Sequence, residues 1–168
     1  MRTGSVSGAA RILGRTQPAL SAAVKEIEKR LNFHLQKLEE FAKGLNQKIE
    51  KGTVFFLFGE MGVGKTTFVK YLINNLQLKF NQNITEVTSP TFNIMNEYQI
   101  GDILIKHYDL YRLKTSEELN DLNLFENNEK EIVLVEWPQI IKEVPKNLTK
   151  LYFEYKNDFK DRFIKIIR

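Results

Sequence analysis

Gly59-Glu60-Met61-Gly62-Val63-Gly64-Lys65-Thr66 is the stretch whose residue types and spacing carry the clearest chemistry. It fits G-x-x-x-x-G-K-[ST], the loop that cradles the phosphates of a nucleoside triphosphate. Its glycines allow backbone angles that side chains forbid, so successive N–H groups can turn inward around an anion. Lys65 adds a mobile charge for the β- and γ-phosphates, and Thr66 a hydroxyl for magnesium. The alternative is a glycine turn that binds nothing, and it leaves the lysine and hydroxyl positions unexplained.

A phosphate loop binds; turnover needs an acid near magnesium and a group that senses the γ-phosphate. Glu136 ends the apolar run Glu131-Ile132-Val133-Leu134-Val135. Strand C-termini of this kind meet the ligand crevice of an α/β sheet. Glu136 there can hold magnesium through a water or orient an attacking water; the plain alternative is a solvated acid. Ser89-Pro90-Thr91 fits either a switch loop, with Thr91 on the γ-phosphate, or a simple proline turn. In His107-Tyr108-Asp109-Leu110-Tyr111-Arg112, Asp109 can complete a magnesium shell and Arg112 can brace it, or the two form a structural salt bridge. His107 reads as a packed or surface imidazole. Trp137 follows the acid directly and suits packing or stacking on a base.

The elements around these residues follow from pattern. Thr53 to Phe58 is apolar and β-branched, a buried strand, and Thr67 to Leu76 carries apolar residues at helical spacing. Strand, glycine loop, helix is the setting the motif requires. Before it, Leu35, Leu38, Phe41, Ala42, Leu45 and Ile49 predict an amphipathic helix over 36–50, stopped by Lys51-Gly52. After it come a polar connection at 78–83, a short strand at 84–88, and strands at 92–100 and 103–111 around Gly101-Asp102, a hairpin signal. Ser116 starts a short helix. Leu148 to Tyr155 and Arg162 to Ile167 read as a final antiparallel pair. The expected fold is α/β: a three-layer α/β/α sandwich of the P-loop NTPase kind, its mixed sheet bearing antiparallel edge strands.

Composition narrows the class. The chain has 168 residues, no cysteine and a net charge of +4. A disulfide framework, a thiolate metal site and a cysteine nucleophile are therefore excluded. No apolar run reaches the roughly 20 residues of a membrane span, and no apolar stretch follows Arg2 as in a secretory signal. Residues 1–33 hold six basic and two acidic side chains, whereas the remaining 135 residues hold 19 of each sign. The main domain is thus neutral overall, and its composition does not argue for an electrostatic grip on nucleic acid.

Residues 4–32 read as two helices. Ser5 caps Ser7 to Leu13, which ends at Gly14; Thr16 caps a second with Pro18 in its first turn. This stretch resembles the helix-turn-helix of LysR-type regulators, with Thr16 to Arg30 in the place of the recognition helix. The helix that precedes this unit in that family and the wing that follows it are missing. Domain organisation is therefore read as 1–32, a fused helix-turn-helix-like fragment or a misplaced gene start, extraneous to a nucleotide-binding domain at 33–168. The functional alternative is DNA tethering.

GEMGVGKTTF, TSPTF, HYDLYRL and VEWP, in this order and with these gaps, resemble the TsaE (YjeE) family of bacterial ATPases across 33–168. The resemblance implies a small cytoplasmic protein that binds and hydrolyses ATP with Mg2+. It implies a role in making threonylcarbamoyladenosine on tRNA, with TsaB and the transferase TsaD as partners. The tRNA enters only through that complex, and neither membrane nor DNA is expected as a partner. Carried over by position, Lys65 and Thr66 serve phosphate and magnesium, Thr67 lies beside them, and Thr91 is the switch residue. Asp109 and Glu136 are the acids of hydrolysis, and Trp137 sits near the nucleotide. Leu38 stands where the family usually has a threonine or serine that approaches the nucleotide. The competing reading is an ATP-gated DNA-binding regulator built on the N-terminal fragment. A small nucleotide kinase ranks last, because no arginine-rich lid is evident.

Overall fold

A computed structural model describes residues 17–47, 49–126, 129–156 and 161–167. The chain divides into two units, 1–37 and 38–168. In the first, the described residues are helical from Gln17 onward; Ser5, the helix Ser7 to Leu13, Gly14 and the Thr16 cap lie outside the described residues.

Helix α1 runs Gln17–Asn46 without a break. The sequence pattern predicts two helices here, one to about Leu31 and one over 36–50. Nothing between Ala19 and Lys43 is glycine or proline, so no residue interrupts the hydrogen-bond ladder. The helix stops earlier than expected, after Gly44 and Asn46. The Asn46 amide then leaves the helix surface to donate to the Leu72 carbonyl at 3.0 Å.

In the second unit, β1 (Val54–Phe58), β2 (Met95–Ile100), β3 (Ile103–Asp109), β4 (Glu131–Glu136), β5 (Leu148–Lys156) and β6 (Asp161–Ile167) form one sheet in the order β2-β3-β4-β1-β5-β6. The four inner strands are parallel, and β2 and β6 are antiparallel edges. Central β1 is apolar throughout because both its faces are covered. Phe55 and Leu57 join a core cluster with Phe68, Leu72, Ile73 and Leu76 of helix α2 (Lys65–Lys79), and with Leu38, Ala42 and Leu45 of α1. Val54 and Phe56 point the other way, against Tyr108, Val133 and Val135. That face is closed by 3-10 helices at Glu117–Leu122 and Pro138–Ile140 and the segments beside them, the third layer.

Two expected strands change. Residues 84–88 make no sheet ladder; Gln77 of α2 holds the segment instead, accepting from the Thr85 N–H at 3.1 Å and donating to its hydroxyl at 2.8 Å. Only Val87 of these residues is buried, so no sheet edge is offered. β2 begins at Met95 and not at Phe92, because Pro90 to Ile94 turns: the Ile94 N–H meets the Pro90 carbonyl at 2.6 Å, with Ile94 at φ 67.

Candidate functional site

β1 delivers the glycine loop to the C-terminal edge of the sheet, and α2 leaves it from Gly64. Gly59 has φ +144, and a β-carbon there would lie 2.5 Å from the Phe153 carbonyl oxygen on β5. The loop is therefore pressed against β5 at its first glycine, and only glycine fits. Gly64, at φ +107, turns the chain into α2. The Tyr155 hydroxyl ties the loop's far side by donating to the Gly62 carbonyl at 2.8 Å. Val63 turns inward into the core, whereas Met61 stands exposed at the tip. Leu38 packs beside the loop, its Cδ2 3.6 Å from the place a β-carbon on Gly64 would take. α1 thus presents an apolar contact to the loop backbone and no hydroxyl.

Lys65 as a residue is 4% exposed, and its ammonium donates to two loop carbonyls, Gly59 at 2.8 Å and Glu60 at 2.9 Å. It also lies 3.9 Å from the centroid of the Trp137 ring. Burial pushes its pKa down, against the opposing pull of Glu136 and Asp109. A partly desolvated ammonium gains more from an incoming anion than a fully exposed one would.

The acids arrive by strand register. Leu57 of β1 pairs with Glu136 of β4, and Glu136 pairs with Asp109 of β3. Alternation places Asp109, His107 and Glu136 on the α2 side of the sheet. The Thr66 hydroxyl donates to Glu136 Oε1 at 2.8 Å, and His107 Nε2 lies 3.0 Å from the same oxygen. Asp109 Oδ2 accepts from the Ser89 and Thr91 hydroxyls, each at 2.6 Å, and Oδ1 accepts from the Tyr111 N–H at 3.1 Å. Arg112 takes no part; its guanidinium lies over the Phe92 ring, 5.5 Å from the centroid. Trp137 follows Glu136 with φ 57, a left-handed conformation that costs about 1 kcal/mol or more for a bulky residue. That turn sets its ring against Tyr111, centroids 4.9 Å apart, and over Lys65.

Met61, Gly62, Gly64, Lys65, Thr66, Thr67, Ser89, Asp109, Glu136 and Trp137 line one cavity of about 180 Å³. Thr91 reaches it only through Asp109. Two contributors went unrecognised in the sequence. Ser89 was read only as part of a turn. His107, expected as a packed or surface imidazole, is packed and contacts the acid itself; its i, i+2 spacing from Asp109 is the signal that both share a face.

The donors here are hard oxygens, one hydroxyl and two carboxylates, beside a loop of N–H groups. That set fits magnesium, which takes one or two carboxylates plus substrate phosphates. Among the described residues no group of three or more His, Cys, Asp or Glu could hold a metal, so a metal cage made by protein alone is not what these residues build.

Residues 33–164 match the family described as threonylcarbamoyl adenosine biosynthesis protein TsaE. The chain belongs to the TsaE family. Among curated TsaE proteins it is 36% identical to that of Rickettsia felis over 107 residues, covering 64% of this chain and 60% of the relative. It is 36% identical to that of Borreliella burgdorferi, covering 67% of this chain and 80% of the relative. It is 34% identical to that of Synechocystis, covering 70% and 76%. The chain therefore spans about 60% of the length of the Rickettsia felis TsaE it matches. A crystal structure of Bacillus subtilis YdiB superposes with a TM-score of 0.60 at 27% identity over 77% of each chain. Residues 1–39 separately match the helix-turn-helix of the LysR family. No helix among the described residues is long and apolar enough to cross a membrane.

Proposed function

We propose that this TsaE-family chain binds ATP with magnesium and hydrolyses it as a cytoplasmic subunit of tRNA threonylcarbamoyladenosine synthesis, acting on TsaB and TsaD-like partners. The observation that carries the reading is the convergence of Lys65, Thr66, Asp109 and Glu136 on the single cavity at the mouth of the glycine loop. Loop N–H groups and the α2 N-terminus hold the phosphates. The Lys65 ammonium leaves the Gly59 and Glu60 carbonyls for phosphate oxygens. Thr66, Glu136 and Asp109 would hold magnesium, which when bound neutralises charge on the β- and γ-phosphates. Glu136 orients the attacking water, and Thr91 reports the γ-phosphate to Asp109. Residues 1–32 are outside this domain, which occupies 33–168.

The test is ATP hydrolysis by the chain with and without matched TsaB and TsaD. Turnover alone is expected well below the roughly 1–100 per second of kinases, rising with partners and lost in Lys65→Ala. Hydrolysis indifferent to the partners would remove the tRNA-modification half of the proposal. The LysR-family match supports a second reading, an ATP-gated DNA-binding regulator. It requires DNA affinity that disappears when residues 1–32 are deleted.

A further inference from the structure

His107 is fully buried, 0% exposed, and Glu136 is 3% exposed. His107 Nε2 lies 3.0 Å from Glu136 Oε1. An ionised carboxylate only accepts, so Nε2 carries the proton and donates. The Thr66 hydroxyl donates to the same oxygen at 2.8 Å. Both donors thus hold Oε1, and Oε2 has no hydrogen-bond partner among the described residues while Glu136 lines the cavity. The other ring nitrogen, His107 Nδ1, is buried without a partner. An unmet buried polar atom costs about 1–3 kcal/mol, so an apolar side chain would suit folding better at this spot. Leucine would fill the space without that unmet nitrogen, so what the imidazole adds is its hydrogen bond to the buried Glu136 carboxylate.

From this we infer that His107 is the positioning residue for Glu136, an inference that rests on the ATP-hydrolysing reading above. The Thr66 hydroxyl has one proton and two lone pairs, so it could meet magnesium through a lone pair and still donate to Oε1. Thr66 sits on the loop that the nucleotide would engage, whereas His107, on β3, holds the same oxygen from the sheet at 3.0 Å. It fixes the carboxylate's rotamer so that Oε2 stays aimed at the cavity, where the attacking water must be oriented. His107 touches neither solvent nor cavity, so it acts through Glu136 alone. Outer partners of this kind change activity by about 10–100-fold when removed.

The experiment compares His107→Leu and His107→Gln with the unaltered chain, in the presence of the partners that give it turnover. Three quantities are read: ATP turnover, ATP–magnesium affinity by calorimetry, and the thermal midpoint. Leucine removes the donor, whereas the glutamine amide can replace Nε2. His107→Leu is expected to lose turnover by about 10–100-fold, with affinity within about 3-fold and the midpoint little changed, because the lost hydrogen bond to Glu136 and the removed unmet nitrogen oppose each other. His107→Gln is expected to recover most of the lost turnover. Full turnover in His107→Leu overturns the inference. A parallel loss of affinity or thermal midpoint also overturns it, since that marks a structural role, as does a glutamine variant no better than leucine. If the unaltered chain does not hydrolyse ATP even with partners, the ATP-hydrolysing reading itself has failed, a result these variants cannot mimic.

Discussion

Replacing Lys65 by alanine removes the one ammonium that lies in the glycine loop, and calorimetry is expected to show ATP affinity falling on the order of 100-fold, equivalent to about 2.7 kcal/mol. Glu136→Ala should instead keep affinity within about 3-fold and lose turnover by roughly 100-fold or more, the range of a removed general base. Normal hydrolysis in Glu136→Ala would take the water-orienting role away from this acid. Tyr108 offers a test by pH. Burial, with the negative charges of Glu131 and Glu97 behind it, pushes its hydroxyl up to about 12. The folded value lies above the unfolded one near 10, so the neutral phenol's contribution is complete below about pH 10 and is lost as pH rises toward 12. Thermal midpoints taken from pH 9 to 12 should fall across that window, and Tyr108→Phe should flatten the fall. At this scale the loop residues were readable, because glycines, a lysine and a hydroxyl announce phosphate by type and spacing. Ser89 and His107 were not, because each matters through a neighbour that only strand register supplies.

Among the elements, the β1–α2 connection is the least tolerant. A β-carbon at Gly59 meets a backbone oxygen at 2.5 Å, which cannot swing aside as a side chain would. Gly59→Ala is expected to destabilise by on the order of 3 kcal/mol, seen as a lower denaturant midpoint with an unchanged slope. A midpoint equal to that of the unaltered chain would mean β5 can retreat from the loop. The strand-loop-helix unit was legible because its apolar pattern changes period at the glycines. α1 was divided wrongly because a resemblance ended near Leu31 and a new amphipathic pattern began near Leu35, although no residue between them breaks a helix. The segment at 84–88 was misread for a different reason: β-propensity describes a side chain's liking for a pleated surface and says nothing of whether a free sheet edge is nearby.

For the whole molecule, among the described residues the apolar cluster around α2 starts at Leu38. A chain beginning at residue 33 should therefore keep ATP affinity within about 3-fold and keep its response to partners, as calorimetry and turnover would show. A large loss would give the N-terminal segment a part in the nucleotide site. Sheet order was beyond the sequence, since it depends on which of several similar apolar strands settles beside β1. The inward-facing residues of β1 and β4 were legible because both strands are apolar on both faces. One consequence of the Lys65–Trp137 contact is optical. Trp137 is the only tryptophan of the chain, and its ring faces a cation at 3.9 Å. On the proposed reading phosphate would draw that cation away, and the emission of a single native indole would then be a clock for nucleotide arrival and release. Stopped-flow mixing with ATP and magnesium should show one change in intensity, absent in Lys65→Ala, with no dye attached to the protein.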